Sequence, residues 1–461
     1  MFKKQSNLKF IIIIFLIAII SGFFWNFKDF GQPLSQGGDA IYYNKVAINI
    51  LEGYDLCSGL GELCIEPQPL YPLFLSSIFY LFGHNLDAVR IVQIILFAFI
   101  SVLGFLLAKK LFSLKIGIYS GLLIGLFYPL AGYCGVLYRE IFFSFLIILF
   151  IYCLYQAYFS KKRMWFGFSG ITLGLVMLTN AVTYFLPLLI IFIFLIVYKK
   201  EFFSKKILMC FFLFLFFLMV VLSPWLIRNY YSTGGSADIQ GGSALVGRAY
   251  LIDDLQGEYK EHFIGQSIGY FFAKGLDSQL DQRKLYSFPP EVVYKQIGYL
   301  SSLGYSQKET GKILQKKALS KIFKSPHLYL SNSFLYFISF NNPMLPDPQT
   351  FNIYRIHNLF LNTHPEINEF TKGSIILIIR LIWLLFFFFV VYGGIKVIKK
   401  DISKFSWLTL IILYFNIIYS LLFAIPRYAL PIWPFYIILF VYGLLSFLSY
   451  INFKICLLYQ K

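Results

Sequence analysis

Lys9-Phe10-Ile11-Ile12-Ile13-Ile14-Phe15-Leu16-Ile17-Ala18-Ile19-Ile20-Ser21-Gly22-Phe23-Phe24 is a single cation followed by a continuous apolar run. A bilayer core of about 30 Å needs about 20 apolar residues in a helix, and this run approaches that length. Ile207–Leu222 and Ile375–Val391 are two more such runs, in a chain of 461 residues that is 58% hydrophobic and 20% aromatic. A soluble domain would have no means of hiding so many apolar segments, so the reading is an all-α polytopic membrane protein. A cleavable leader would follow its apolar run with a small-x-small site. Ser21-Gly22-Phe23-Phe24-Trp25 is a poor one, and the first segment is read as a retained helix.

The formal charge of +18 first suggests a nucleic-acid partner, and its distribution argues against one. Six short stretches (1–9, 109–115, 160–164, 199–206, 396–404 and 452–461) hold 19 of the 40 Lys/Arg and only two acids, Glu201 and Asp401. They therefore carry +17 of the net charge, and each lies between apolar runs or at a terminus. That is the positive-inside pattern of cytoplasmic loops, and no nucleic-acid partner is implied.

Ten crossings are expected, at about 10–27, 88–108, 116–132, 140–159, 165–179, 181–198, 207–226, 374–395, 405–425 and 431–451. The pair at 165–198 is short for two spans. Parity supports it, because Lys161-Lys162-Arg163 and Lys199-Lys200 should share the cytoplasmic side, with Asn180 at the outer turn. The topology gives a multi-pass protein of the inner or plasma membrane with both termini cytoplasmic. Three regions follow: a transmembrane catalytic module at 1–226 with an outer loop at 28–87, an exoplasmic segment at 227–373, and C-terminal spans at 374–461.

In the first outer loop, Asp39 to Gly53 reads as an amphipathic helix on the membrane surface, with Ile41, Val46, Ile48 and Leu51 on its apolar face. Pro67-Gln68-Pro69-Leu70-Tyr71-Pro72 breaks the chain, and Leu73 to Phe82 is long enough only for an interfacial or re-entrant helix. In the second outer segment Ser236–Gly247 reads as a Gly/Ser-rich mobile loop with no phosphate-loop spacing. Ser306-Gln307-Lys308-Glu309 reads as a capping box opening a lysine-rich helix that Pro326 ends. Its basic face fits either a solvated helix packed on the domain or a surface touching anionic headgroups. Cys57 and Cys64 are spaced for a small exoplasmic disulfide loop, and the five scattered histidines form no zinc signature.

Acids are scarce in the membrane portion, so each carries information. Glu140 is the one acid at or within an expected crossing; it heads the fourth, directly after Arg139, where the pair is either a functional site or a structural ion pair. Asp39 lies on a glycine hinge beyond the first span. Arg228 follows Pro224-Trp225 at the outer end of the seventh, and Arg427-Tyr428 occupies the turn before the last. Arginines at an interface can simply snorkel, yet these residues share one membrane face. Two arginines with a tyrosine could bind a phosphate through paired donors while a carboxylate activates a nucleophile.

Gly38-Asp39 with Tyr43, Pro69 to Leu75, Leu81-Phe82-Gly83, Ala88 and Arg90, Glu140, Pro224-Trp225 with Arg228-Asn229, and Arg427-Tyr428 with Pro431 occur in a fixed order. That set resembles the C-type (GT-C) membrane glycosyltransferases, in the branch of protein mannosyltransferases and lipid A aminoarabinose transferases. The resemblance covers residues 10–230 well and the C-terminal spans loosely. It implies a GT-C fold and a polyprenyl-phosphate-linked sugar donor. It also implies a lipid, glycan or protein acceptor, and transfer on the exoplasmic face. Asp39 takes the position of the catalytic base, Glu66 the nearest match to a loop Glu before a Pro, Glu140 an acid heading a span, and Tyr428 a tyrosine on the donor phosphate. Ala40 departs from the Asp-Glu of the mannosyltransferases, which argues against protein mannosylation.

The chemistry fits the residues independently. A carboxylate at the bilayer surface can take a proton from an acceptor hydroxyl attacking the anomeric carbon, and Arg228, Arg427 and Tyr428 could hold the departing lipid phosphate. One base suffices and inversion is expected, unlike the two-carboxylate glycosidases. A divalent metal would fall to Glu66 and Glu140, and no ligand cluster supports one. A lipid-linked oligosaccharide transporter and an O-antigen-type polymerase are the competing readings. The first would place its polar residues near the bilayer midplane rather than at one face.

Overall fold

The computed structural model describes residues 2–33, 38–54, 68–232, 290–305, 307–341 and 369–459. Glu66, the Cys57/Cys64 pair, the loop at 236–247 and Ser306 of the expected capping box lie outside them. The described residues are helical with no strand. The long apolar segments are built on α1 (Phe2–Asn26), α4 (Leu86–Leu111), α7 (Glu140–Ser160), α9 (Leu186–Tyr198, extended by tight turns to Ala181–Phe203), α10 (Lys205–Ser232), α14 (Glu369–Lys400), α15 (Ile402–Leu421) and α16 (Trp433–Tyr459). Between them lie α2 (Gly38–Leu51), α3 (Leu70–Phe82), α5 (Leu114–Gly125), α6 (Tyr128–Gly132), α8 (Arg163–Met177), α11 (Pro290–Ser302), α12 (Gln307–Lys324) and α13 (Pro326–Phe340).

Seven helices among the described residues are long and apolar enough to cross a membrane. An eighth span results if Leu114–Gly125 and Tyr128–Gly135, bent by 43° at a short break, count as one. Two of the ten expected crossings, at 165–179 and 405–425, are not among these. The segment at 165–179 falls in Arg163–Met177, and that at 405–425 in Ile402–Leu421, whose described apolar part is Trp407–Leu421. At 1.5 Å per residue, a 15-residue helix such as Arg163–Met177 extends about 22 Å, short of a core of about 30 Å.

Local signals account for the helix ends. Asn85 caps α4, its side chain accepting from the amides of Asp87 (2.9 Å) and Ala88 (3.2 Å). Asp87 lies in the first turn and Lys109 and Lys110 in the last, matching the helix dipole at both ends. Ser113 caps α5 in the same way, and Asn180 caps the tight turn Ala181–Phe185. Pro326 heads α13 rather than merely stopping α12, occupying a first-turn position where its missing N–H costs nothing.

The chain divides into two compact units: residues 1–237, 386–414 and 430–461, and residues 238–385 with 415–429. In the first unit Ile14 of α1 and Val102 and Phe105 of α4 form a buried cluster. Close helix crossings depend on small residues, as they do where lipid supplies no hydrophobic drive between helices. A Cβ on Gly170 of α8 would overlap the Phe214 carbonyl of α10, and one on Gly393 of α14 would overlap Leu439 of α16. Leu8, Ile12, Leu16, Ile20 and Phe24 form an exposed apolar stripe along α1, suited to lipid.

The basic loops of this unit meet at one end. Lys109 bonds Asn7, Lys110 bonds Gln156, and Lys161 pairs with Glu201 at 3.2 Å. The α8–α9 segment therefore leaves and returns to the same end, as parity required. Its turn at Asn180 lies at the opposite end, where the Leu178 carbonyl accepts from the Leu70 amide of α3 (3.1 Å). The starts of α2, α3, α4 and α7 and the end of α10 share that opposite end.

Candidate functional site

α2 is packed on α3 through a stripe different from the one its sequence suggested. Ala40, Tyr43, Val46 and Ala47 are buried, whereas Ile41 and Leu51 are exposed. The apolar face expected from the sequence is one turned to the membrane surface, and Ile41 and Leu51 are left free for it. The structure buries the small alanines and one aromatic, because the ring of Tyr43 meets that of Tyr71 edge-on at 5.0 Å between centroids. Asn44 bonds the ring of His84 at 2.9 Å, tying α2 to the far end of α3. Asp39 is the second residue of α2, half-buried, in the first turn where amides and dipole favour a negative charge.

Tyr71 is the junction of the site. It is fully buried, and its phenol donates to Gln93 Oε1 at 3.3 Å. The Gln93 amide in turn donates to the carbonyls of Cys134 (3.0 Å) and Val136 (2.8 Å), just before α7. Burial chiefly, and then the negative charge of Glu140 and the neighbouring Tyr43, push the Tyr71 phenol well above its ordinary pKa. Tyr71 is therefore a neutral donor at physiological pH. Glu140 is buried in the first turn of α7, where the dipole offsets part of the desolvation of a carboxylate. Phe74 of α3 stacks on Phe142 at 4.4 Å, which seats α3 against this turn. Asp39 and Glu140 are thus linked through Tyr43, one helical turn beyond Asp39, and Tyr71.

The lead-in to α2 is fastened to α4. Arg90 is 3% exposed and donates through Nε to the Gly135 carbonyl (3.2 Å), through Nη2 to the Gln32 carbonyl (2.9 Å), and through Nη1 to Asp87 (2.5 Å). Asp87 also accepts from the Gly31 amide (3.0 Å). Asn26, at the end of α1, donates to the Gly22 and Ala131 carbonyls, both at 2.7 Å.

Of the other expected residues, Arg139 precedes Glu140 and is half-buried. Arg228 lies on α10, which runs to Ser232 through Pro224, and its guanidinium sits 5.0 Å from the Trp225 ring centroid, a cation–π distance. It also donates to Asn229 at 3.2 Å. Arg427 and Tyr428 belong to the second unit. There Arg427 is buried with its guanidinium 5.4 Å from the Tyr428 ring, and Tyr428 stacks on Tyr419 at 5.1 Å. Among the described residues no group of three or more His, Cys, Asp or Glu could hold a metal ion.

Sequence reasoning passed over Gln93 and Arg380. Each is a polar side chain buried in an apolar helix, and that alone marks a residue for attention in a membrane protein. Arg90 stood in the motif without a role, and the structure shows it as a clasp.

The sequence model of the dolichyl-phosphate-mannose-protein mannosyltransferase family matches residues 66–227. The match takes in Tyr71, Arg90, Gln93 and Glu140 and ends one residue before Arg228; Asp39, Arg427 and Tyr428 lie outside it. Among solved structures, the archaeal oligosaccharyltransferase AglB of Archaeoglobus fulgidus, in complex with an inhibitory peptide and a dolichol-phosphate, aligns with a TM-score of 0.53 and 13% identity. The apo form of the Archaeoglobus fulgidus oligosaccharyltransferase aligns at 0.54 and 12%. In both cases 99% of this chain covers 52% of the other, so the chain spans about half the length of that enzyme. ArnT from Cupriavidus metallidurans in the apo state aligns at 0.39 with 10% identity, covering 96% of this chain and 78% of that one. No curated protein sequence matches this chain.

Proposed function

We propose that this chain, whose fold is that of the C-type membrane glycosyltransferases, transfers a sugar from a polyprenyl-phosphate donor to a hydroxyl of a lipid, glycan or protein acceptor. The observation that carries the reading is the grouping of Asp39, Tyr43, Tyr71 and Glu140 at the end of the helices opposite the basic loops. Positive-inside charge makes the basic end cytoplasmic and the site exoplasmic. The match to a family named for a dolichyl-phosphate sugar donor, and a structural neighbour solved with a dolichol-phosphate, support a lipid-phosphate donor.

Asp39 acts as general base. The acceptor oxygen bonds to the anomeric carbon while its proton passes to the Asp39 carboxylate. The bond from that carbon to the phosphate oxygen breaks, and its electron pair leaves with the polyprenyl phosphate. Attack opposite the leaving group inverts the anomeric centre. Arg228 is the first-unit cation for the phosphate. Tyr71, held neutral, keeps the wall between Tyr43 and Glu140 uncharged. A divalent ion, if used, would draw on Glu140 and Glu66.

The test is transfer of radiolabelled sugar from synthetic polyprenyl-phosphate sugars by protein reconstituted in nanodiscs. Asp39→Asn should lower transfer by about 10²–10⁴-fold, the usual range for removing a positioned base, with the fold retained. Wild-type transfer by that variant removes Asp39 from the mechanism. Movement of label across liposomes without a new glycosidic bond would favour a transporter.

A further inference from the structure

The second unit carries a feature that sugar transfer does not use. α12 holds Lys308, Lys312, Lys316, Lys317, Lys321 and Lys324 against one acid, Glu309. Its inner side is settled: Leu314, Ala318 and Ile322 are buried with Leu300, and Leu328 and Tyr329 pack against them. The opposite ridge, Lys312, Lys316, Leu319 and Phe323, follows the four-, three- and four-residue steps of one helix face, and all four are exposed. Lys317 and Lys324 flank it, also exposed. Phe323 is 78% exposed, an unusual position for a phenyl ring in water.

The exposed ridge changes character at that ring. Beyond it, α13 exposes Leu330, Phe334 and Phe337, three large apolar side chains at helical spacing. α13 is tied to the end of an apolar helix: Tyr329 donates to the Leu421 carbonyl (2.6 Å), and Asn341 to Asn416 (2.7 Å). Along the chain the exposed side chains thus pass from lysines, through an aromatic, to bare apolar residues, the order of environments from water through headgroups to acyl chain. A solvated basic helix would account for the lysines and leave Phe323, Leu330 and Phe334 unexplained.

We propose that α12 and the start of α13 form a docking surface for anionic lipid headgroups, with Phe323 seated at the polar–apolar boundary and Lys316, Lys317 and Lys324 on the headgroups. The inference does not depend on the proposed activity. It is tested on the full chain in nanodiscs of equimolar phosphatidylglycerol and phosphatidylcholine, with the photo-cross-linker p-benzoylphenylalanine at position 323 and, separately, at 312. The two positions are 11 residues apart, about 16 Å along the helix. Lipid adducts are expected at 323 and not at 312. Phosphatidylglycerol adducts should exceed phosphatidylcholine adducts about fivefold, the factor for the ~1 kcal/mol that one lysine gains at an anionic surface. Lys316→Gln, Lys317→Gln and Lys324→Gln together should bring the two lipids to parity. No lipid adduct at 323, equal adducts from both lipids with the lysines intact, or a preference that survives their removal would each overturn the proposal.

Discussion

Arg90→Ala tests whether the lead-in to Asp39 is held as the structure describes. Arg90 makes three hydrogen bonds from a nearly inaccessible position. Truncation would leave the Gly135 carbonyl, inside the protein, without its donor; the Gln32 carbonyl and the Asp87 carboxylate, whose side chain is 34% exposed, would regain water. Breaking a fully buried ion pair costs about 3–5 kcal/mol, and an unsatisfied buried acceptor about 1–3. Partial solvation of Asp87 puts the expected loss near the overlap, about 2–3 kcal/mol. The Gly31 amide, bonded to Asp87, is the reporter. Its hydrogen exchange in nanodisc-embedded protein should accelerate roughly 30–150-fold, since about 1.36 kcal/mol corresponds to a factor of ten. Exchange near Lys161 and Glu201, at the other end of the unit, should stay unchanged. Arg90→Lys should fall between, because one ammonium cannot reproduce three divergent donors. Gly31 exchange within about threefold of wild type in Arg90→Ala would refute the clasp. Equal acceleration at both ends would make it a global effect.

The other predictions concern packing, ionisation and topology. Gly170→Ala should force α8 and α10 apart, because its Cβ would meet the Phe214 backbone. Overpacking of this kind costs about 1–3 kcal/mol, and a lower thermal unfolding midpoint of the reconstituted protein measures it. Tyr71 has its folded-state pKa raised, so its share of stability is fully present below the unfolded value of about 10 and is lost as pH climbs toward the folded value. Wild type should thus lose stability above about pH 10 more steeply than Tyr71→Phe, with the two curves parallel from pH 6 to 9; chemical denaturation across that range reads it. Cysteines placed at Lys161 and Lys199 should react with an impermeant thiol reagent from the cytoplasmic side alone, and one at the exposed Tyr54 from the exoplasmic side alone. Reaction of all three from one side would disprove the assignment of faces.

Much of the architecture was legible because membranes make sequence unusually explicit. Lipid cannot solvate a bare peptide group, so spans must be apolar helices, and lysines mark the loops on one side. That is why eight of the ten expected crossings coincide with long apolar helices or the bent pair. Of the other two, the segment at 165–179 is a 15-residue helix, and that at 405–425 lies in the 20-residue helix Ile402–Leu421, about 30 Å long. Asp39 and Glu140 stood out as rare acids beside apolar runs, and their order with Arg228 and Arg427-Tyr428 pointed to the C-type fold.

The inward stripe of α2, the junction at Tyr71 and the Arg90 clasp were not legible. Each depends on which side chains from segments 22 to 69 residues apart meet, and periodicity along one helix carries no information about the shape of its neighbour. Sequence alone determined the class of protein, the loops that share a side and the acids worth watching, because burial in lipid constrains each segment independently. Only the tertiary structure decided that Tyr43 rather than Ile41 faces inward and that Tyr71 lies between Tyr43 and the charge of Glu140. It also decided that Phe323 stands exposed near the end of the lysine-rich helix. Those are outcomes of packing, set by the complementary shapes of surfaces that the chain order keeps apart.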